Sequence, residues 1–316
     1  MNRLIVGSIL VLVIGIPVLG VIYVMDRFVP AGPTLVQRQV SSLENAVRAN
    51  PNNLTIRLQL AGAYTASARY PDALQQFDEA LKADPNNQTA TLGRADALRL
   101  SGDVAGAITG YQAVIDAAKT GEFAPVDTEL QRAYYQLGGI ALDQSRPADA
   151  IPLLTEAQKI NKTDSDTLYR LGDAYLRTDA YDKAVDALRN AVLFVPTGWP
   201  EPYTLLSQAY TKLGQTDESE WAAAMASVVS QQPGEAADRL TALSTGPAAL
   251  DALTGLALLS EMQGDRTAAA DLYREVLAKD ANDFNAQVGL ARVTDPTTNG
   301  TPQPSLPAPS PVVGGS

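Results

Sequence analysis

Three pairs of carboxylates are the first residues in this chain that could do chemistry: Asp78-Glu79, Asp164 with Asp166, and Asp217-Glu218. Carboxylates held close together can share a proton and act as general acid and base. Each pair falls near a helix start or on a polar face, however, where capping and solvation account for acidic side chains. The groups that usually complete such a site are missing. The 316 residues include no histidine and no cysteine, so there is no imidazole base, thiolate nucleophile or haem-attachment motif, and none of the usual zinc ligands. Gly138-Gly139 continues as a helix and is not followed by Lys-Ser/Thr, so it is no phosphate-cradling loop. An enzyme is not expected, nor a cofactor or metal. The formal charge of −11, with basic residues scattered, repels nucleic acid and anionic headgroups as direct ligands.

The elements that must position any site are read from a repeat. Leu137-Gly138 with Ala150 and Ala157 recurs thirty-four residues later as Leu171-Gly172 with Ala184 and Ala191. Small residues at fixed offsets in two amphipathic stretches predict helical hairpins that bury their apolar faces by stacking on one another. Units fall near 52–85, 86–118, 129–162, 165–196 and 200–231, with a last one inside 232–293, giving about six hairpins. Tyr64, Tyr175 and Tyr210 share one register position and read as packing residues with a satisfied hydroxyl. Pro51, Pro85 and Pro196 follow helix ends, and Ser101-Gly102-Asp103 and Gln263-Gly264-Asp265 are tight turns. Three Asn-x-Thr tripeptides, at Asn53, Asn87 and Asn161, read as helix-start turns.

Departures from the period mark further features. Thr34 to Ala49 reads as an amphipathic capping helix. Lys119 to Asp127 is surplus to the period and should extend a helix or form a loop. A larger surplus around Pro233 to Ser244 fits one extra helix, which would end or kink the regular stack near Gln232 and set off residues 232–293 as a carboxy-terminal subdomain. Leu4 to Val24 carries no charge and is long enough to span a bilayer, so residues 1–29 read as a cytoplasmic tip and retained signal anchor, with cleavage after Gly20 or Ala31 as the competing reading. The positive-inside rule, resting on Arg3 and the amino terminus, places the soluble domain outside the cytoplasm, as a single-pass membrane protein. Thr294 to Ser316 is rich in Pro, Gly, Ser and Thr, with little to bury, and is expected to be a disordered tail. Pro304-Ser305-Leu306-Pro307 within it is a minimal PxxP match that reads as solvated linker.

The repeat resembles the tetratricopeptide repeat (TPR). That resemblance covers about residues 34–293 and implies an all-α TPR-type solenoid of about six hairpins. Members of the family typically bind peptides or helices in a concave groove lined by the first helix of each unit. Carried onto this sequence, the groove positions hold Leu58 and Thr65; Leu92, Asp96 and Arg99; Arg132, Tyr135 and Asp143; Asp166, Tyr169, Asp173 and Arg177; and Gln208 and Lys212. Tyr135 and Tyr169 occupy the same position in adjacent units, with Arg99, Arg132 and Arg177 nearby, so rings for anchoring and guanidinium groups for a carboxylate or carbonyl are expected together. Leu58 and Gly62 replace the Lys and Asn of the clamp that grips chaperone tails, so that partner is disfavoured. The implied role is a membrane-tethered scaffold or adaptor for a protein or peptide, similar in layout to envelope proteins that assist cytochrome c maturation or chaperones. The alternative is a constitutive structural subunit using its convex face. Oligomeric state is left open.

Overall fold

A computed structural model describes residues 34–194, 198–231 and 233–295. The apolar run Leu4–Val24, Pro196, Gln232, the PxxP segment and the tail beyond Asp295 lie outside the described residues, as does any subdomain boundary at Gln232 itself. Among the described residues the regular structure is helical: fifteen α-helices and one short 3-10 turn. The chain divides into two compact units between Ala107 and Ile108.

In the first unit, α1 (Leu35–Ala49) opens on a capping box, in which the Gln37 N–H donates to Thr34 Oγ1 at 3.2 Å and the Thr34 N–H donates to Gln37 Oε1 at 2.8 Å. It is followed by α2 (Leu54–Ala66), α3 (Tyr70–Ala83) and α4 (Gln88–Ser101), then by α5 (Val104–Ala118), whose length crosses the division between units. Asn53 and Asn87 cap α2 and α4 by accepting from the N–H groups of Ile56 and Ala90. Two of the Asn-x-Thr tripeptides thus serve as helix starts. The core of this unit gathers Val40, Leu60, Tyr64, Ala73, Phe77 and Ala80.

The second unit runs through α6 (Thr128–Asp143), α7 (Pro147–Ile160), α8 (Ser165–Arg177), α9 (Tyr181–Phe194), α10 (Glu201–Leu213) and α11 (Thr216–Val229). After them come α12 (Ala236–Leu243), α13 (Ala249–Met262), α14 (Arg266–Lys279) and α15 (Phe284–Thr294). The repeat markers sit in the interior: Ala150, Ala157, Ala184, Leu188 and Ala191 are all fully buried. Gly138 and Gly172 carry the physical reason for the repeated Leu-Gly phrase. A Cβ on Gly138 would lie 2.5 Å from Leu154 Cγ, and one on Gly172 would collide with Leu188 in the same way one repeat later. The helix backbone therefore rests directly on a leucine of its partner helix, which only glycine permits.

The surplus around Pro233 to Ser244 forms α12, a short helix packed between α11 and α13. Its effect is a change of layer. Up to α10, packing between alternate helices joins the first helices of successive hairpins, α6 to α8 and α8 to α10. Beyond α12 the same kind of packing joins α11 to α13 and α13 to α15. Residues 233–295 belong to the same compact unit as α6–α11.

A four-residue cluster fastens this change of layer. Arg189 in α9 makes a bidentate ion pair with Asp251 in α13 at 2.7 and 2.9 Å, and also donates to the Tyr210 hydroxyl at 2.9 Å. Its guanidinium lies 5.3 Å from the Trp221 ring, and the Trp221 indole donates to the Asp251 carbonyl at 3.0 Å. Helices α9, α10, α11 and α13 are thereby tied through one guanidinium. At the far end the Arg266 side chain donates to the Arg292, Val293 and Asp295 carbonyls, closing the last turn of α15. Thr294, which composition places at the start of the tail, is still helical.

One turn recurs throughout. Six times a helix passes to the next through a single left-handed residue: Ala68, Gly102, Ser145, Asp179, Gly214 and Gly264, with φ of 56°, 94°, 57°, 58°, 75° and 84°. In each case the next residue's N–H reaches back to the helix, as Arg146 does to the Ala141 carbonyl at 2.8 Å and Asp103 to the Leu98 carbonyl at 2.9 Å. This is a Schellman closure. Glycine occupies three of the six positions and announces the turn in sequence. Ala68, Ser145 and Asp179 hold the same conformation without that signal, at a cost of roughly 1 kcal/mol each.

Candidate functional site

Three of the expected groove residues lie on α4. Leu92 and Asp96 are buried, 3% and 5% exposed, and so present no side chain to a partner. An apolar Leu on this face is better covered than displayed, and Asp96 is buried on the same helix. Arg99 is half-buried, with its Nε enclosed and without a hydrogen-bond partner. These positions belong to the first unit, so the site is built from the second.

There, α6, α8 and α10 lie side by side as the first helices of consecutive hairpins. Asp127 starts α6 by accepting from the N–H groups of Glu129 and Leu130, both at 2.9 Å. Asp164 starts α8, accepting from the Thr167 N–H at 3.2 Å. One of the carboxylate pairs thus resolves into a helix cap, Asp164, and an exposed neighbour, Asp166. Asp78 pairs with Arg94 at 2.6 Å, Glu79 pairs with Lys82 at 2.6 Å, and Asp217-Glu218 lies in the first turn of α11. Among the described residues no group of three or more acidic side chains is placed to hold a metal ion.

What the inner helices do present is aromatic and cationic. Tyr135 in α6 is half-buried against the core around Leu142 and Leu154, and the Arg170 guanidinium of α8 lies over its ring, 4.5 Å from the centroid. Arg170 has room because Gly139 lies beneath it: a Cβ there would meet the guanidinium itself. Tyr169, next along α8, packs its ring against Trp199 at 5.1 Å between centroids, tilted by 56°. Burial, and then the nearby Asp173 and Glu201 carboxylates, raise the Tyr169 phenol above its ordinary range. Asp173 and Arg177 form an ion pair at 2.8 Å one turn on, and Arg177 also donates to the Leu142 carbonyl of α6 at 3.4 Å. Arg132 and Asp166 are exposed. The face is therefore held in shape by its own ring, guanidinium and carboxylate contacts.

Models of the tetratricopeptide repeat match residues 58–122, 141–209 and 221–284, together more than half of the chain. The chain belongs to the tetratricopeptide-repeat family. Among solved structures, the C-terminal part of a TPR repeat-containing protein from Cytophaga hutchinsonii is similar to it, with 18% identity, 79% of this chain and 93% of that one covered, and a TM-score of 0.50. A crystal structure of MamA protein is 24% identical over 58% of this chain and 94% of that one, with a TM-score of 0.48. YrrB, a TPR protein with an unusual peptide-binding site, is 14% identical over 78% of this chain and 97% of that one, with a TM-score of 0.40. At such identities the likeness is one of fold. No curated protein matches the sequence.

In this TPR protein the structure brings Tyr135, Tyr169, Asp173 and Arg177 onto neighbouring helices of one face, with Arg132 and Asp166 at their ends, and leaves Leu92, Asp96 and Arg99 in the other unit. Two functional candidates escape the groove register. Arg170 is one residue away from a groove position and reaches the face only because Gly139 is bare. Trp199 stands before Pro200, outside any helix. Its signal was available in composition: it is one of only two tryptophans, and the other, Trp221, is core. Of the three tyrosines that share one register position, Tyr64 and Tyr210 are buried with their hydroxyls bonded to Glu44 and Arg189, whereas Tyr175 is half-buried beneath the Lys183 ammonium.

Proposed function

We propose that this TPR protein is a non-enzymatic scaffold that takes a segment of a partner protein along α6, α8 and α10. Tyr135, Tyr169 and Trp199 supply its apolar contacts, and Arg132, Arg177 and Lys212 supply donors for the partner's carboxylates and carbonyls. The observation that carries this reading is the Tyr169–Trp199 pair. Two large half-exposed rings, Tyr169 on α8 and Trp199 in the connection before α10, are already packed against each other near the Tyr135–Arg170 pair, so little ordering remains to oppose binding. TPR proteins in general bind protein or peptide partners, which supports the reading.

The scaffold is tethered by Leu4–Val24, with the repeats on the extracytoplasmic side, in envelope complex assembly or client handling. The support for this is the uncharged length of that segment and Arg3 ahead of it. Among the described residues no helix is long and apolar enough to cross a membrane, so the tether rests on residues 4–24 alone. Carbonate extraction of membranes should leave the full chain in the pellet and release a chain lacking residues 1–24.

The test of the groove is crosslinked co-purification from native membranes of the wild type and of Tyr169→Ala/Trp199→Ala. Trp199 is a better target than Tyr135, whose ring packs on the core. The reading predicts loss of one or more partners at unchanged helical content. Identical partner lists would refute it and favour a constitutive subunit held by another surface.

A further inference from the structure

Between α5 and α6 the chain spends residues 119–127 on a turn that the repeat does not require. The turn is ordered. The Gly121 N–H donates to the Ala118 carbonyl at 2.9 Å, Ala124 to Gly121 at 3.1 Å and Val126 to Phe123 at 2.9 Å, and Ala124–Val126 forms a 3-10 turn that packs beside α7. Asp127 then closes it by capping α6. This scaffold turns the small Ala124 inward and the large side chains outward. Phe123 is 73% exposed and Val126 70%, with Pro125 exposed between them. Single exposed apolar residues are ordinary, but two large ones three residues apart on a hydrogen-bonded, inserted turn form a knuckle that is not part of the buried core.

We propose that the 119–127 knuckle seats in an apolar socket on a partner protein, rimmed by lysine or arginine side chains. The charge on the knuckle selects that partner. Residues 116–129 hold four carboxylates, Asp116, Glu122, Asp127 and Glu129, against one ammonium, Lys119, which is already paired with Asp116 at 2.6 Å. A basic rim complements this field and brings Phe123 into register. The alternatives meet repulsion: an anionic bilayer surface faces the same carboxylates, and two copies of the knuckle carry like charge. Because the turn is held by its own backbone bonds, docking orders only side chains, which suits a central aromatic anchor. This surface is independent of the α6, α8 and α10 face, and neither reading depends on the other.

The experiment places a photoreactive benzoylphenylalanine at position 123 of the full chain in native membranes, with the same group at exposed Lys162 as the control. The expected result is one protein adduct specific to position 123. Its crosslinked peptide should map to apolar residues of the partner flanked by Lys or Arg. Its yield should fall about tenfold with Val126→Asp and several-fold with Glu122→Lys. Both variants must retain the wild-type circular dichroism and melting midpoint, as exposed substitutions should. An adduct to lipid, an adduct to a second copy, a mapped peptide without basic neighbours, or equal labelling from Lys162 would overturn the proposal.

Discussion

Replacing Gly138 by alanine should destabilise the protein, and the same replacement should become stabilising once Leu154 is cut back. In the wild type the new methyl would lie 2.5 Å from Leu154 Cγ and 2.7 Å from Cδ2. Leu154, on α7, is fully buried, and the methyl would strike its Cγ branch point and not the far end of a flexible side chain. Overpacking of this kind costs typically about 1–3 kcal/mol. Against it stands the helix propensity of alanine over glycine, about 0.8–1 kcal/mol in a helix interior. Taking about 2 against about 1, Gly138→Ala should lose about 1 kcal/mol in the wild type. Leu154→Ala alone costs about 2–5 kcal/mol, but it removes the branch that the methyl strikes. In that background Gly138→Ala should gain about 1 kcal/mol, so the coupling between the two sites is about 2 kcal/mol. Urea unfolding of the four proteins, followed by far-ultraviolet circular dichroism, measures the cycle. Stacked repeats can unfold in parts, so the midpoint of the same transition must be compared across the set. An effect of equal sign and size in both backgrounds would refute the argument that the Leu-Gly repeat is a packing code. Gly172 with Leu188 should repeat the pattern one unit on.

The remaining predictions concern turns, pH and the scaffold's own clamp. Ser145→Gly should raise stability by about 0.5 kcal/mol, because it relieves a left-handed serine whose side chain holds no bond, and Gly102→Ala should lower it by about 1 kcal/mol; chemical unfolding tests both. Burial raises the phenols of Tyr203, Tyr210 and Tyr273, and burial with a hydrogen bond to Glu44 pushes Tyr64 up to about 12 from its ordinary 10. The folded state holds these protons where the unfolded chain releases them, so the stability is intact below pH 10 and is lost as pH rises from 10 through 12. Melting midpoints should fall in that window and less steeply in Tyr64→Phe. Arg189→Met removes the bidentate pair with Asp251 and the bond to Tyr210; with the guanidinium partly exposed, the loss should be about 1–2 kcal/mol. A melting curve unchanged by that substitution would show that the cluster does not hold α9 to α13.

The fold was legible wherever one residue type had no substitute. Gly138 and Gly172 mark backbone resting on a leucine, Gly102, Gly214 and Gly264 mark left-handed turns, and the surplus residues near Pro233 leave room for a helix that is there as α12. Where several residue types serve, the sequence was silent. Ala68, Ser145 and Asp179 adopt the glycine conformation unannounced because the surrounding closure imposes it. The site was legible only in part, for a related reason. Register locates the first helix of each unit and so finds Tyr135 and Tyr169, but exposure depends on what the next elements cover. That is why Leu92 and Asp96 are buried, why Arg170 enters through the gap at Gly139, and why Trp199 arrives from a connection that no repeat position describes.

Trp199 also offers the most direct measurement of the central claim, that a partner occupies the α6, α8 and α10 face. Its emission can be isolated as the difference between the wild type and Trp199→Phe, since the second tryptophan, Trp221, is buried beneath Arg189. Titrating the protein with a partner recovered by crosslinking should shift and saturate that difference signal as the Tyr169–Trp199 rings are desolvated, and Trp199→Phe/Tyr169→Ala should bind at least tenfold more weakly. A partner that binds with undiminished affinity to the double variant, leaving Trp199 emission unchanged in the wild type, would contradict the account.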